Sequence, residues 1–390
     1  MRLRFFRPPS GAIGMLPALL LALAAPLQAA PDSPPQLLEP DRFLRGRVVE
    51  VIGERDAEGL GEQQFVQIVR VRVVGAAGSD QDVQAEFTDM GAEPDRRLAE
   101  GDRVVIAVSE DPGGTTYYVI DRYRLPALAF AVGLFFALAI LFSRRRGLGS
   151  IIGLGITALV LARFVVPAIV AGSNPLVVSL VGALVIVLTS IYLAHGFSVR
   201  TSVAVVSTIG TLVIAWALAI TFVSLARLTG MGSEESVYLQ FAPLEQLNLK
   251  GLLLGGIILG ALGVLDDITK SQAAAVDELR KANPAFPVRE LYRRGLSIGT
   301  EHITSLVNTL FLAYAGASLP LFILFTIYND APAWVTLNSE FVAEELVRTL
   351  VGSVALILAV PITTLSAAAV FSRRPATAPE GAGAGHVHRH

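Results

Sequence analysis

Apolar residues in this 390-residue chain gather into long unbroken runs in its last two thirds and into short alternating ones before that. A hydrocarbon layer about 30 Å thick takes about 20 helical residues to cross. Seven runs meet that length, at about 125–143, 148–171, 175–194, 202–226, 249–266, 297–327 and 342–371. Arg144, Arg145 and Arg146 close the first, and Ser173-Asn174 ahead of Pro175 is a start signal for the third. Several runs exceed the required length, which predicts tilt or protrusion, with Pro320 and Pro361 as kinks.

The period changes to two before residue 125. RGRVVEVIGE, QQFVQIVRVRVVG, DVQAEFTD, GDRVVIAVSE and TTYYVIDRYR are short segments separated by Gly, Asp and Pro. Val69, Val71 and Val73 alternate with Arg70 and Arg72, so one face is buried and the other wet. Five strands in about 80 residues predict a small closed barrel of the oligonucleotide/oligosaccharide-binding type. No aromatic platform or metal cluster marks a binding face on it, and fold alone does not specify function.

Composition agrees with this division. The chain is 53% hydrophobic and 16% charged, with mean hydropathy +0.59. The fold class is therefore a polytopic α-helical membrane protein of about seven spans with a small extracytoplasmic all-β domain, and the lipid bilayer is its first partner. Zero cysteines exclude disulfides and thiolate metal sites, and a net charge of −2 excludes a nucleic-acid footprint. Residues 1–30 carry Arg2, Arg4 and Arg7, an apolar core and small residues, the pattern of a signal peptide cut near Ala29 or Ala30 or of an uncleaved anchor helix. Residues 31–124 form the β-domain, 125–372 the membrane domain, and 373–390 a low-complexity tail whose three histidines would hold metal only weakly.

Basic residues predict the sidedness. With the β-domain outside, the inner segments hold Arg144–Arg146, Arg200, Lys270, Arg280, Lys281, Arg289, Arg293, Arg294, Arg373 and Arg374. The outer connections 171–174, 228–247 and 329–340 hold no Lys or Arg. Positive charge stays on the cytosolic side, which predicts a bacterial inner-membrane protein with a cytoplasmic C-terminus.

Within the spans the polar residues are few. GALGVLDDITKSQ ends the fifth run with Asp266 and Asp267 at its cytosolic end, and Lys270 lies one helical turn after Asp266. Gly251, Gly255, Gly256 and Gly260 on the same helix make two overlapping small-xxx-small spacings, a close-packing surface. The sixth run opens with Glu301 and His302; Glu301, Ser305 and Asn308 fall on one stripe, with Asn308 near mid-bilayer. Lipid is a poor solvent for such groups, so the stripe is expected to face the bundle interior. Arg163 inside the second run either snorkels outward or pairs with Glu344 or Glu345, and Glu344 and Arg348 have the spacing of a solvated pair.

GALGVLDDITKSQAAAVDELRKANP, SIGTEHITSLVNTLFLAYAGASLPL and DRYR at 121–124 together resemble the YibE/F-like family of bacterial membrane proteins, over about residues 40–371. That resemblance implies a multipass, permease-like membrane protein without an established activity. The family pattern has an apolar or hydroxylated residue at 270 and Arg-Asp at 300–301, where this chain has Lys270 and Thr300-Glu301.

Two functional readings follow. In the first, Asp266, Asp267, Glu301 and His302, with Ser305 and Asn308 deeper, form a cation or proton site of a transporter. In the second, the aspartates pair with Lys270, Arg293 or Arg294 to lock helices, and the chain is an assembly factor or complex subunit whose β-domain binds an envelope partner, with homo-oligomerisation as a further option. An enzyme is not expected: adjacent aspartates point about 100° apart, Glu301-His302 lacks a second histidine, and there is no Walker loop or serine elbow. No cofactor is implied.

Overall fold

The computed structural model describes residues 42–56, 65–73, 81–89, 97–111, 114–241, 247–327 and 332–373. The expected signal or anchor segment 1–30 and the tail beyond Arg373 lie outside the described residues. The chain divides into two compact units between Leu141 and Phe142.

The first unit holds the five expected strands, β1 (Arg42–Asp56), β2 (Phe65–Val73), β3 (Gln81–Asp89), β4 (Arg103–Asp111) and β5 (Gly114–Arg122). They close into a barrel in the order β1-β2-β3-β5-β4, antiparallel except for β3 against β5. In β2, Val69, Val71 and Val73 point inward, the first two fully buried, and Arg70 and Arg72 point out. β1 is the strand shared by both halves of the barrel, pairing with β2 and β4. Gly46 lets it turn there, since a Cβ would stand 2.4 Å from Val71 Cγ1. Gln67 takes a core position but is satisfied, donating to Glu54 (2.8 Å) and accepting from the Leu98 N–H (2.7 Å).

On the wet face, Arg72 grips Asp82 with two hydrogen bonds of 2.8 and 3.1 Å, and Arg124 pairs with Asp121. Both arginines, chiefly through their hydrogen bonds, hold the two carboxyls below the ordinary aspartate range. A depressed carboxyl stabilises the fold fully above its unfolded pKa, and the contribution fades as pH falls through the lower folded value. Amide protection in β2 and β3, taken relative to the intrinsic exchange rate at each pH, should therefore fall on acidification below the ordinary aspartate pKa. Asp82→Asn should flatten that response, by a modest amount because the pair is exposed.

The helices begin with α1 (Leu125–Arg144), none of whose residues is buried. Arg144, in a left-handed conformation (φ 49°), separates it from α2 (Gly147–Val170). Then come α3 (Pro175–His195), α4 (Val199–Leu225), α5 (Glu234–Phe241), α6 (Leu249–Ala282), α7 (Val288–Ala317), α8 (Leu319–Ile327), α9 (Ala333–Leu337) and α10 (Glu340–Phe371). Asn174 caps α3 through its side chain and Pro175 starts it, as expected. Six of these, α1, α2, α3, α4, α6 and α10, are long and apolar enough to cross a membrane. The seventh expected span corresponds to α7, which is more polar and runs antiparallel along α10. Gly299 lies against Val360 and Leu310 against Gly352, so residues 299–310 sit beside the middle of a spanning helix. This is a multipass membrane protein in contact with the lipid bilayer.

Three local details shape these helices. The sixth run is interrupted at Ser318, between α7 and α8, with Pro320 in the first turn of α8. Pro361 lies within an unbroken α10. Within α2, residues 161–165 form a π turn in which the Val166 N–H bonds to the Leu161 carbonyl. Pro167 has no N–H to offer the Arg163 carbonyl four residues back, which favours the wider turn.

The core lies where α4, α6 and α10 meet, with Ala215, Ile258, Leu265, Val351, Ala355 and Ala359 fully buried. Small residues bring the backbones close. Gly251 and Gly255 face α3, where a Cβ on Gly255 would meet Ser179 Oγ at 2.4 Å. Gly256 and Gly260 instead make room for the Arg348 guanidinium and the Tyr314 hydroxyl. All four expected packing glycines are thus at contacts, but toward three different helices, α3, α10 and α7.

Candidate functional site

The two ends of the bundle differ in charge. One end carries the 283–287 turn and the residues Lys270, Arg280, Lys281, Arg289, Arg293, Arg294 and Arg373. The other carries Ser173-Asn174, the 226–233 loop and the starts of α6 and α10, with Arg227 and Lys250 as its basic residues. The bond from Arg280 to the Ser372 carbonyl ties the basic end together.

Asp266 lies toward the basic end of α6 and is about one-fifth exposed, whereas the Asp267 side chain is 82% exposed. Lys270 Nζ sits 2.6 Å from Asp266 Oδ2 and 3.7 Å from Asp267 Oδ1. Arg293 and Arg294 do not join them: both pair with Glu290, at 2.9 and 2.7 Å. Of the expected cationic partners, Lys270 alone is at the aspartates.

Glu301, His302, Ser305 and Asn308 are all exposed, so the expectation that this stripe faces the bundle interior is corrected. The face of α7 that packs inward is Leu291, Gly295, Gly299 and Leu310. A Cβ on Gly299 would stand 2.3 Å from Val360 Cγ1, and one on Gly295 2.8 Å from Val276 Cγ2. Close approach of α6 and α10 to these glycines fixes the rotation of α7, and the polar stripe is turned outward. The structure therefore separates the expected site: Asp266 does not meet Glu301 or His302.

What Asp266 does meet is a cavity of about 150 Å³ between α2, α3 and α6, lined by Thr157 and Ser190 and closed by Leu161, Ile186 and Leu259. A second cavity, of about 350 Å³, lies toward the other end between α2, α5, α6 and α10. Its polar lining is Ser179, Ser233, Ser236, Glu344 and Arg348. Leu161 and Leu259 line both, so the two spaces are separated by that leucine pair. Leu161 opens the π turn, where the irregular backbone shifts the register of the side chains facing α6.

Glu344 is 4% exposed and accepts a 2.9 Å hydrogen bond from the Gly232 N–H. Glu340 accepts from the Thr229 hydroxyl (2.8 Å) and the Gly230 N–H (3.0 Å). Two carboxylates thus hold the 229–232 loop against the second cavity. Arg348 pairs with Glu345 at 3.4 Å, so the expected Glu344–Arg348 ion pair is replaced by a neighbour one residue on. Arg163 is exposed and makes no ion pair among the described residues, which fits snorkelling rather than pairing with Glu344 or Glu345.

Sequence periodicity missed a buried polar layer at the basic end. Gln272 donates to the Gly295 carbonyl and to Thr364 Oγ1, both at 2.7 Å, and Thr208 and Thr269 share a 2.6 Å hydrogen bond. Their signal was present, since Thr208, Thr269, Gln272 and Thr364 are hydrogen-bonding residues on long apolar helices. No group of three or more His, Asp or Glu residues able to hold a metal occurs among the described residues.

No curated protein and no solved structure matches the chain significantly. The sequence pattern of the YibE/F-like proteins matches residues 131–373, that is, from within α1 to the end of α10, leaving the barrel outside the match. The chain belongs to the YibE/F-like family.

Proposed function

We propose that this inner-membrane protein moves a small hard cation or a proton across the bilayer along the route between α2, α3 and α6. The basic end faces the cytosol and the barrel the other side, as the distribution of Lys and Arg in the loops favours. The observation that carries the reading is the pair of cavities meeting at Leu161 and Leu259, mainly apolar in lining, one ending at Asp266 and the other at Glu344 and Arg348. Hydroxyl and carboxylate oxygens suit a hard cation, and intramembrane carboxylates are typical of ion and proton pathways. Lys270 holds Asp266 in the absence of cargo, and an arriving cation competes with its ammonium for the carboxylate.

The test is flux of monovalent cations and protons into vesicles carrying the purified full chain. Asp266→Asn removes a charge-assisted contact of about 1.5–3 kcal/mol, so flux should fall by about tenfold or more. Asp267→Asn, at an exposed carboxylate, should leave flux near wild type. Equal losses in both variants, or none in either, would refute the assignment of Asp266.

A second reading, partner binding by the barrel, rests on one observation. Phe43 and Tyr118 are 63% and 42% exposed, and both pair with Ala107 across β1, β4 and β5, so they share an outer face. Capture of a stoichiometric envelope protein that is lost in Phe43→Ser, with no flux from the chain alone, would favour it.

A further inference from the structure

Every hydrogen bond that fixes the loop 229–232, between α4 and α5, ends on a carboxylate of α10 among the described residues. The Thr229 N–H and hydroxyl and the Gly230 N–H donate to Glu340, and the Gly232 N–H donates to Glu344. No backbone group of 229–232 bonds to another backbone group among the described residues. Ahead of the loop, Leu228 is 4% exposed and anchored in the core of the bundle. After it, no residue of α5 from Glu234 to Gln240 is buried. The segment is thus a strap fixed at Leu228 and held down by two acids. Gly230, Ser233 and Ser236 of the strap line the larger cavity beside Glu344, so the strap is its wall at this end of the bundle.

We propose that residues 229–236 are a lid over the larger cavity, latched by Glu340 and Glu344 as carboxylates and released when they are protonated, so that acid on this side of the membrane opens the cavity. The lid rests on the cation or proton route proposed above, whose mouth it covers. A carboxylate only accepts, and an N–H bonded to it gains from the charge. A protonated carboxyl is a poorer acceptor and presents a donor of its own. The latch therefore holds while both acids are ionised and lets go as pH falls through their titration. Backbone partners would be indifferent to pH; here the carboxylates are the only hydrogen-bonding hold. The charged groups around them do not take their place. Arg348, one turn beyond Glu344, pairs with Glu345. Arg227, Lys250, Glu234 and Glu235 are exposed and make no ion pair with either acid among the described residues. From α2 and α3 the cavity receives Ser179 and apolar side chains.

The chain has zero cysteines, so single ones report access without background. Val165→Cys and Ser179→Cys stand at cavity-lining positions that are 3% and 2% exposed. Each is labelled in lipid vesicles with a charged, water-soluble methanethiosulfonate, and the rate is divided by that of Ser173→Cys, an exposed position at the same end. Below their pKa values all three thiols lose thiolate in equal proportion, so the ratio reports access. It should rise about tenfold from about pH 7.5 to about pH 5, and Glu340→Gln should raise it as far at about pH 7.5. An unchanged ratio on acidification, or one already high at about pH 7.5, would overturn the proposal. That comparison alters neither acid, so it decides the matter even if Glu340→Gln fails to fold. A ratio that rises with acid but is unmoved in folded Glu340→Gln would place the response elsewhere and overturn the latch as well. The two readings fail separately: loss of the flux route leaves these ratios as they are, and a fixed lid leaves the flux defect of Asp266→Asn in place.

Discussion

Shortening Leu161 and Leu259 to alanine together should turn the protein into an ungated leak. The two leucines line both cavities, and on the proposed route they form an apolar constriction of the kind that bars ions by excluding water. Removing both side chains joins a space of about 150 Å³ to one of about 350 Å³. Vesicles containing L161A/L259A should lose an imposed cation gradient faster than wild-type vesicles, at any pH. Leu161→Trp should do the reverse, blocking flux while leaving Asp266 and Lys270 untouched. Both leucines are half-buried, so the double variant should fold with a lower melting temperature rather than fail. An unchanged leak from a folded double variant would place the two cavities on separate paths.

Gly230→Ala should be among the most damaging single substitutions in the membrane domain. Gly230 has φ +91°, and a Cβ there would stand 2.3 Å from the Leu249 carbonyl oxygen. Left-handed strain in a non-glycine residue costs about 1–3 kcal/mol, and a shift of packed backbone adds about as much. The sum, about 4 kcal/mol, is a large part of a typical folding stability. Displacing this residue also breaks the hydrogen bond from its N–H to Glu340, and with it the wall of the larger cavity. A fluorescence melting curve in detergent should show Gly230→Ala well below wild type. Gly316→Ala, at an open position with no atom within 4 Å, should be neutral or slightly stabilising. Gly232→Ala should be intermediate, because its Cβ would meet the Glu344 side chain at 2.5 Å and backbone, the Glu340 carbonyl oxygen, only at 2.9 Å.

The differing fates of the two aspartates show where a one-dimensional reading stops. Asp266 and Asp267 are adjacent and chemically identical, and the spacing to Lys270 predicted the first ion pair. Their roles are set by α3, which leaves Asp266 facing Ser190 across a cavity while Asp267 points out. The α7 stripe carries the same lesson. Helical periodicity placed Glu301, Ser305 and Asn308 on one line, and that line exists. Which way it faces depended on Gly295 and Gly299, whose lack of side chains lets Val276 and Val360 come close. Hydrophobic patterning says which face is polar; it does not weigh that polarity against the packing gained at two glycines.

By itself the sequence determined the local and additive features: the apolar lengths that make spans, the two-residue period of the barrel, the cap at Asn174 and the Asp266–Lys270 spacing. Each depends on neighbours within a turn or two of chain. Tertiary structure alone decided the rotation of α7, the exchange of Glu344 for Glu345 as the partner of Arg348, the Gln272–Thr364 contact and the cavities on either side of Leu161 and Leu259. These depend on helices distant in sequence meeting at particular angles, and the outcome was set by which small residues let the backbones approach closest.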